Sequence, residues 1–308
     1  MSTHTLFRIS VALLVSGFFA LTIVWRIKGV PPQIDSPLTD DGYGLKHSRQ
    51  DRNTSVMDGV DLENCSEAKV PKDTFVPIFV MTRDRVSSLK KSLHSYWNAI
   101  ESPFEIIIHD HNSTFPPMVA YLKKLERIMN ISVVHLEQGV WAHALEECRL
   151  FIQRYLELRP NILVYVFTDP DIAFLRTAPD VLLFYAGILQ ACPEYQVVGP
   201  ALQISDIPSR FTHRAMHNRT VYELHSKFWT HVPNMATWNG IGYHVSSQPI
   251  DTTFAMRRRD TSLRRLTRPS LRVYAPYAAV HVDWYDDSEH LPDDKIYYRM
   301  RQSNVNHW

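Results

Sequence analysis

The chain has 308 residues, 45% of them hydrophobic, with 33 basic residues set against 32 acidic ones. That is enough apolar material for one large core or two modest ones. So even a charge balance offers no field for nucleic acid, and none is expected as a partner.

In chain order, the first predicted element is an uncharged run of 17 residues, 9–25 (ISVALLVSGFFALTIVW), flanked by Arg8, Arg26 and Lys28. As a helix it would be roughly 26 Å long, slightly short of a bilayer core of about 30 Å. A cleaved signal peptide is the competing reading. The run exceeds the usual apolar region of about 7–15 residues, and the following RIKGVPPQ has no small-residue cleavage site. The expectation is therefore a single-pass membrane anchor at 9–25 behind a short tail at 1–8. Positive charge on both sides leaves its orientation open. Residues 26–72, with GVPPQIDSPLTDDGYG and HSRQDRNTS, have almost nothing to bury and read as a stem or linker.

From residue 75 the texture changes. FVPIFVMT (75–82) predicts a buried strand, and VSSLKKSLHSYWNAI (86–100) an amphipathic helix. FEIIIHD (104–110) follows as a strand, then PPMVAYLKKLERIM (116–129) as a helix opened by prolines. ISVVHLE (131–137) is a strand, 140–158 a helix, and NILVYVF (161–167) a strand. A helix over 178–190 and a strand over 195–202 complete the alternation. Strands and helices in this order predict an α/β sandwich around a mostly parallel sheet. After about residue 204 the alternation stops, which divides the folded part into segments 73–203 and 204–308.

Ligands of such sheets bind beyond the carboxyl ends of the strands. The residues just after the strands are Thr82-Arg83-Asp84, His109-Asp110-His111-Asn112 and Thr168-Asp169-Pro170-Asp171. In an extended chain, positions two apart return to one face, so Asp169 and Asp171 converge on a hard cation such as Mn²⁺ or Mg²⁺. An ordinary Asp-Pro turn with a helix cap is the plainer alternative.

Taken together, the anchor, the stem and the segments VPIFVMTRDR, FEIIIHDHNS and VYVFTDPDIAF resemble a GT-A-fold glycosyltransferase of the secretory pathway. The resemblance covers roughly residues 75–202 in organisation and is looser beyond. It implies a GT-A-like, Rossmann-type sandwich carried as a type II protein of the Golgi or ER membrane, with the catalytic domain in the lumen. It implies a nucleotide-diphosphate sugar as donor and a glycan or glycoprotein hydroxyl as acceptor. By motif position, Thr82 and Arg83 would line the nucleotide site and Asp110 would contact base or ribose. Asp169 and Asp171 would hold metal, ribose and diphosphate, and His281 in AAVHVDWYDD would complete the metal shell.

Inverting chemistry also needs a carboxylate within reach of the acceptor hydroxyl. Asp251 in SSQPIDTTFAMRRR is the expected base and Asp283 the reserve; a local cap of the following threonines is the alternative for Asp251. In WNGIGYH, Trp238, Asn239 and Gly240 suit close sugar contact, and Trp284 offers a second aromatic face. The arginine-rich RRRDTSLRRLTR (257–268) reads as a solvated surface loop.

Five N-x-S/T sequons, at Asn53, Asn64, Asn112, Asn130 and Asn218, agree with a lumenal domain. The three cysteines are too few for a disulfide framework; a Cys148–Cys192 pair and three buried thiols both remain open. Two rival functions stand beside the transferase. A membrane-anchored, metal-dependent phosphoesterase would need ligands on several successive strand ends. An inactive sugar-binding module of the same fold would have a degraded D-x-D.

Overall fold

The computed structural model describes residues 70–301 except 137–140, 209–210, 212–218, 231–233, 239–240, 265–266, 268 and 288. The expected anchor at 9–25, nearly all of the stem, and Asn239 and Gly240 lie outside the described residues. Among those described, no helix is long and apolar enough to cross a membrane.

The first half runs β1 (Val76–Thr82), α1 (Val86–Ala99), β2 (Phe104–Asp110), α2 (Pro116–Leu125), β3 (Ile131–His135), α3 (Trp141–Glu157) and β4 (Val164–Thr168). Then come β5 (Ile172–Ala173), α4 (Val181–Ala191) and β6 (Val197–Pro200). All seven residues of β1 are buried. Alternation divides them between two faces. Val76, Ile78 and Val80 pack with Leu89 and Leu93 of α1, Leu122 of α2 and the apolar face of α4. Phe79 and Met81 meet Cys148, Ile152 and Tyr155 of α3 on the other face. Each aliphatic side chain buried this way contributes about 1.5–3 kcal/mol. Burial on both faces is why these strands read as continuous apolar runs.

The second half adds α5 (Val221–His225), α6 (Lys227–Thr230), β7 (Asn234–Trp238), β8 (Ile241–Ser247), β9 (Ala255–Arg258), β10 (Ser270–Val273) and β11 (Val280–His281). A 3₁₀ turn (Val282–Tyr285) and α7 (Asp293–Arg301) follow. One sheet runs through both halves in the order β3-β2-β1-β4-β9-β6-β10-β8-β7. It is parallel from β3 to β4, but β9 enters antiparallel to both β4 and β6, and β7 and β8 form an antiparallel pair. The sheet is therefore mixed rather than mostly parallel.

The antiparallel strand β9 and the residue after it carry three arginines that tie the strand to its surroundings. The Arg257 side chain in β9 is fully buried. Its guanidinium donates to the carbonyls of Ala255 (3.1 Å), Asp251 (3.2 Å) and Arg264 (3.3 Å). Arg258 donates to the carbonyls of Leu189, Cys192, Pro193 and Tyr195, closing the end of α4. Arg259 does the same after α3, donating to those of Leu156 (2.9 Å), Arg159 (3.2 Å), Pro160 (2.8 Å) and Ile162 (2.9 Å). Helix ends leave carbonyls without partners, and a cation suits that pole. The run expected as a solvated loop begins with three structural clamps. The cysteine alternatives resolve as well: Cys192 is disulfide-bonded, while Cys148 is a buried free thiol.

Candidate active site at the ends of β1 and β4

From β1 the chain turns to β2 on one side, while β4 lies on the other. The carboxyl ends of β1 and β4 thus form the place where strand order reverses, and a crevice is expected there. Residues 83–85 follow β1, and residues 169–171 follow β4.

Asp169-Pro170-Asp171 is a turn between β4 and β5, so the same-face geometry of an extended chain does not apply. The two carboxylates part company. The backbone N–H of Asp169 donates to the Thr252 carbonyl (2.9 Å), and the Thr252 hydroxyl donates to its Oδ2. Asp171 is buried at the start of β5. There β5 pairs antiparallel with β11, placing Ile172 opposite His281, and the Val282 N–H donates to the Asp171 carbonyl (2.8 Å). Helix α1 holds this segment from behind: the Tyr96 hydroxyl donates to the Ile172 carbonyl (2.7 Å), and Ser95 Oγ accepts from the Phe174 N–H (3.0 Å).

Register therefore brings His281 to Asp171, with Nε2 3.1 Å from Oδ2. Asp283, on the following 3₁₀ turn, is the third member. Ligand atoms of Asp171, His281 and Asp283 all lie within 4.8 Å of one another. Asp169 is not in this group. The sequence reading held Asp283 as a reserve base, but its carboxylate is buried and saturated. It accepts from Ser88 Oγ (2.5 Å), lies 2.8 Å from Lys295 Nζ, and is paired with Arg85.

Sequence reasoning missed Arg85 and Lys295. Arg85 immediately precedes α1, and its Nη2 atom contacts both Asp171 Oδ2 and Asp283 Oδ2. Lys295 of α7 is fully buried and bridges Asp283 and Asp286. Asp286 in turn pairs with Lys91 of α1 (3.0 Å). The signal for Arg85 was its position three residues past a strand end, in the same TRDR segment as Arg83. Lys295 gave no signal, because a lysine on a charged helix ordinarily points to water.

Burial sets the protonation of the cluster. It pushes Asp169 up to about 8, with the neighbouring charge of Asp171 adding to the effect. Burial acts on Asp171 in the same direction, but Arg85 and then His281 outweigh it and hold that carboxyl below its ordinary range. Burial lowers His281 to about 4, so the ring is neutral near pH 7. With the proton on Nε2 facing Asp171, Nδ1 keeps its lone pair. Both Nδ1 of His281 and Oδ1 of Asp171 are buried without a hydrogen-bond partner. Buried polar atoms rarely stay unpaired. Two carboxylates and one imidazole are a donor set suited to Mn²⁺ or Mg²⁺.

The remaining expected residues are distributed around this centre. Thr82 ends β1, buried, and its hydroxyl has no hydrogen-bond partner. Arg83 is half-buried beside Asp84 (3.8 Å). Asp84, with φ 52°, turns inward and accepts from the N–H groups of Thr114 (2.6 Å) and Phe115 (2.7 Å), fixing the start of α2. Asp110 ends β2, buried, and accepts from the Ser113 N–H (3.3 Å) and His135 Nδ1 (3.2 Å). Asp251 is exposed and close enough to bear electrostatically on Asp169 and His281. It accepts from the Thr253 hydroxyl, the local cap that was its alternative reading. Trp238 is the last residue of β7. Trp284 is 4% exposed, with His281 stacked on it at 4.4 Å and His225 at 4.4 Å. Its ring packs against imidazoles inside the protein rather than facing solvent.

No family model and no curated protein matches the chain. Among solved structures it is similar to the mannosyltransferase PcManGT from Pyrobaculum calidifontis in complex with GDP-Man and Mn²⁺ (19% identity, 55% of this chain, 51% of that one, TM-score 0.34). It is similar to S. aureus TarS 1-349 (16% identity, 60% and 47%, TM-score 0.34) and to GalNAc-T7 with UDP, GalNAc and Mn²⁺ (12% identity, 42% and 23%, TM-score 0.34). The alignments span about half of the first two chains and less of the third. Likeness this slight leaves function to the geometry of the strand ends.

Proposed function

We propose that the chain is a glycosyltransferase that moves a sugar from a nucleotide-diphosphate donor to a glycan or glycoprotein hydroxyl, with a divalent cation at the donor diphosphate. The observation that carries this reading is the buried Asp171–His281–Asp283 group at the reversal point of the sheet, with unpartnered donor atoms on Asp171 and His281. It agrees with the resemblance of the three strand-end motifs.

In this reading Asp171, His281 and Asp283 would hold the cation, which would supply Lewis-acid stabilisation of the departing diphosphate. Thr82, Arg83 and Asp110 face the nucleotide, and Asp169 sits beside the ribose and diphosphate. Asp251, exposed and next to the cluster, takes the proton from the acceptor hydroxyl as its oxygen attacks the anomeric carbon and the nucleoside diphosphate leaves. Trp238, Asn239 and Gly240 belong to the acceptor side, and Trp284 supports the His281 ring. The uncharged run at 9–25 anchors the protein in the Golgi or ER membrane with the catalytic part in the lumen.

Thermal stability of the protein against a panel of nucleoside diphosphates, with and without Mn²⁺, tests the proposal. A ligand at 100 times its dissociation constant adds about 2.7 kcal/mol. One nucleotide is expected to stabilise the protein only with metal, and Asp169→Asn/Asp171→Asn to abolish the response. A folded protein that no nucleotide stabilises under any condition would overturn the reading.

A further inference from the structure

We infer that Arg85 is the resident counter-cation of the metal position, and that a divalent ion binds Asp171 and Asp283 only by displacing its guanidinium. The inference rests on the metal reading of the site given above. Its basis is one atom. Arg85 Nη2 contacts Oδ2 of Asp171 and Oδ2 of Asp283 at once. Those carboxylates, with His281, are the group whose ligand atoms lie within 4.8 Å of one another. A nitrogen bridging both oxygens stands where an ion bridging them would stand, and two cations cannot share that volume.

The surroundings explain why a cation is built in. Asp171 and Asp283 are almost fully buried. Two such carboxylates side by side would repel without a counter-charge. Lys295 neutralises Asp283 from its other oxygen, at 2.8 Å, and reaches Asp286 rather than Asp171. Arg85 is thus the cation that serves Asp171. It stands at the N-cap of α1, where its own side chain makes no capping bond and Asp294 instead accepts from the Ser87 N–H (2.6 Å), so the guanidinium can leave without uncapping the helix. The Arg85 side chain is 13% exposed against 3% and 1% for those of its two partners, so it borders water where they do not. Once displaced, its planar fork suits the phosphate oxygens of a donor. Arg85 then acts as a gate on the metal position and as a second, movable charge for the anionic substrate.

The test is metal affinity, read without turnover. Free Mn²⁺ is titrated by electron paramagnetic resonance with the wild-type protein and with Arg85→Met. The variant is expected to bind Mn²⁺ at least tenfold more tightly, because no resident charge has to leave. Equal or weaker binding by a folded variant overturns the inference. The wild-type protein supplies a second readout that needs no variant. Phenylglyoxal modifies accessible arginines, and peptide mass spectrometry locates the adduct. Saturating Mn²⁺ is expected to raise Arg85 modification several-fold over metal-free protein. Unchanged modification with Mn²⁺ bound overturns the inference while leaving the glycosyltransferase reading intact. If neither protein binds Mn²⁺, the metal reading itself fails and the inference falls with it.

Discussion

Replacing Arg257 by methionine should cost about 3 kcal/mol of stability, although the residue touches no candidate ligand. Three backbone carbonyls, those of Ala255, Asp251 and Arg264, would lose a charged donor, the first in the interior and the other two at its partly exposed edge. A buried acceptor left unpaired costs about 1–3 kcal/mol. Three at the low end give about 3 kcal/mol, and the low end applies because two of the carbonyls are partly exposed and removing a buried charge returns part of its desolvation cost. The same burial lowers the Arg257 pKa from its ordinary value. The measurement is the urea midpoint with an unchanged slope. Arg257→Lys keeps the charge but loses the fork, so it should recover little of the loss. The second readout is local: Arg257 ties the Asp251 carbonyl, so amide exchange over 250–254 should accelerate. A variant within 1 kcal/mol of the parent, with unchanged exchange, would refute the view that β9 is held by this arginine.

Gly199→Ala would set a Cβ 3.1 Å from the Phe254 carbonyl and 3.3 Å from that of Thr253; a loss of about 1–3 kcal/mol is expected by denaturation. Lys295→Met strands Asp283 and Asp286 in the interior and should cost about 3–5 kcal/mol, partly recovered by a second change, Asp283→Asn. His109 and His111 are held neutral by burial, at about 3 and about 4. Each binds protons in the unfolded chain below about 6.5, so stability is complete above that pH and is lost as pH falls towards 4. Each should contribute a loss of about 2 kcal/mol between pH 7 and pH 5. His109→Asn should remove its share from the difference between urea midpoints at the two pH values; an unchanged difference would refute the assignment.

The parallel half of the sheet was legible because two-sided burial writes itself as unbroken apolar runs. The expected strand at 75–82 and helix at 86–100 lie within a residue of β1 and α1. β9 was legible only in part: the apolar run after Asp251 reads as strand-like, but its arginines read as a loop, and only the fold shows that they spend their donors on backbone carbonyls. The site divides along the same line. His281 and Asp171 carried a positional signal, and the β5–β11 register places them together. The pairing of Arg85 with two acids 86 and 198 residues away in sequence is a tertiary fact with no local trace. Asp169 was misjudged geometrically, since a turn rather than a strand follows Thr168 and sends its carboxylate to Thr252.

The charges around the site have a consequence for the order of binding. His281, Asp171, Arg85, Asp283, Lys295, Asp286 and Lys91 form one continuous ladder. With His281 neutral, three carboxylates face three basic side chains, of which Lys295 is pushed down to about 6 by burial and keeps its charge through Asp283 and Asp286. A divalent ion that displaces Arg85 would leave this largely buried network one positive charge in excess and the guanidinium without a partner, a costly state in a poorly solvated place. A nucleoside diphosphate arriving with the ion supplies the missing negative charge and gives the displaced guanidinium a partner. Metal and nucleotide should therefore bind cooperatively, and by linkage each should strengthen the other by the same factor. Mn²⁺ affinity measured by electron paramagnetic resonance is expected to rise at least tenfold, about 1.4 kcal/mol, when the stabilising nucleoside diphosphate is present. In Arg85→Met the ion replaces a charge already missing, so the enhancement should shrink. Equal Mn²⁺ affinity with and without nucleotide would show that the ladder does not couple the two ligands.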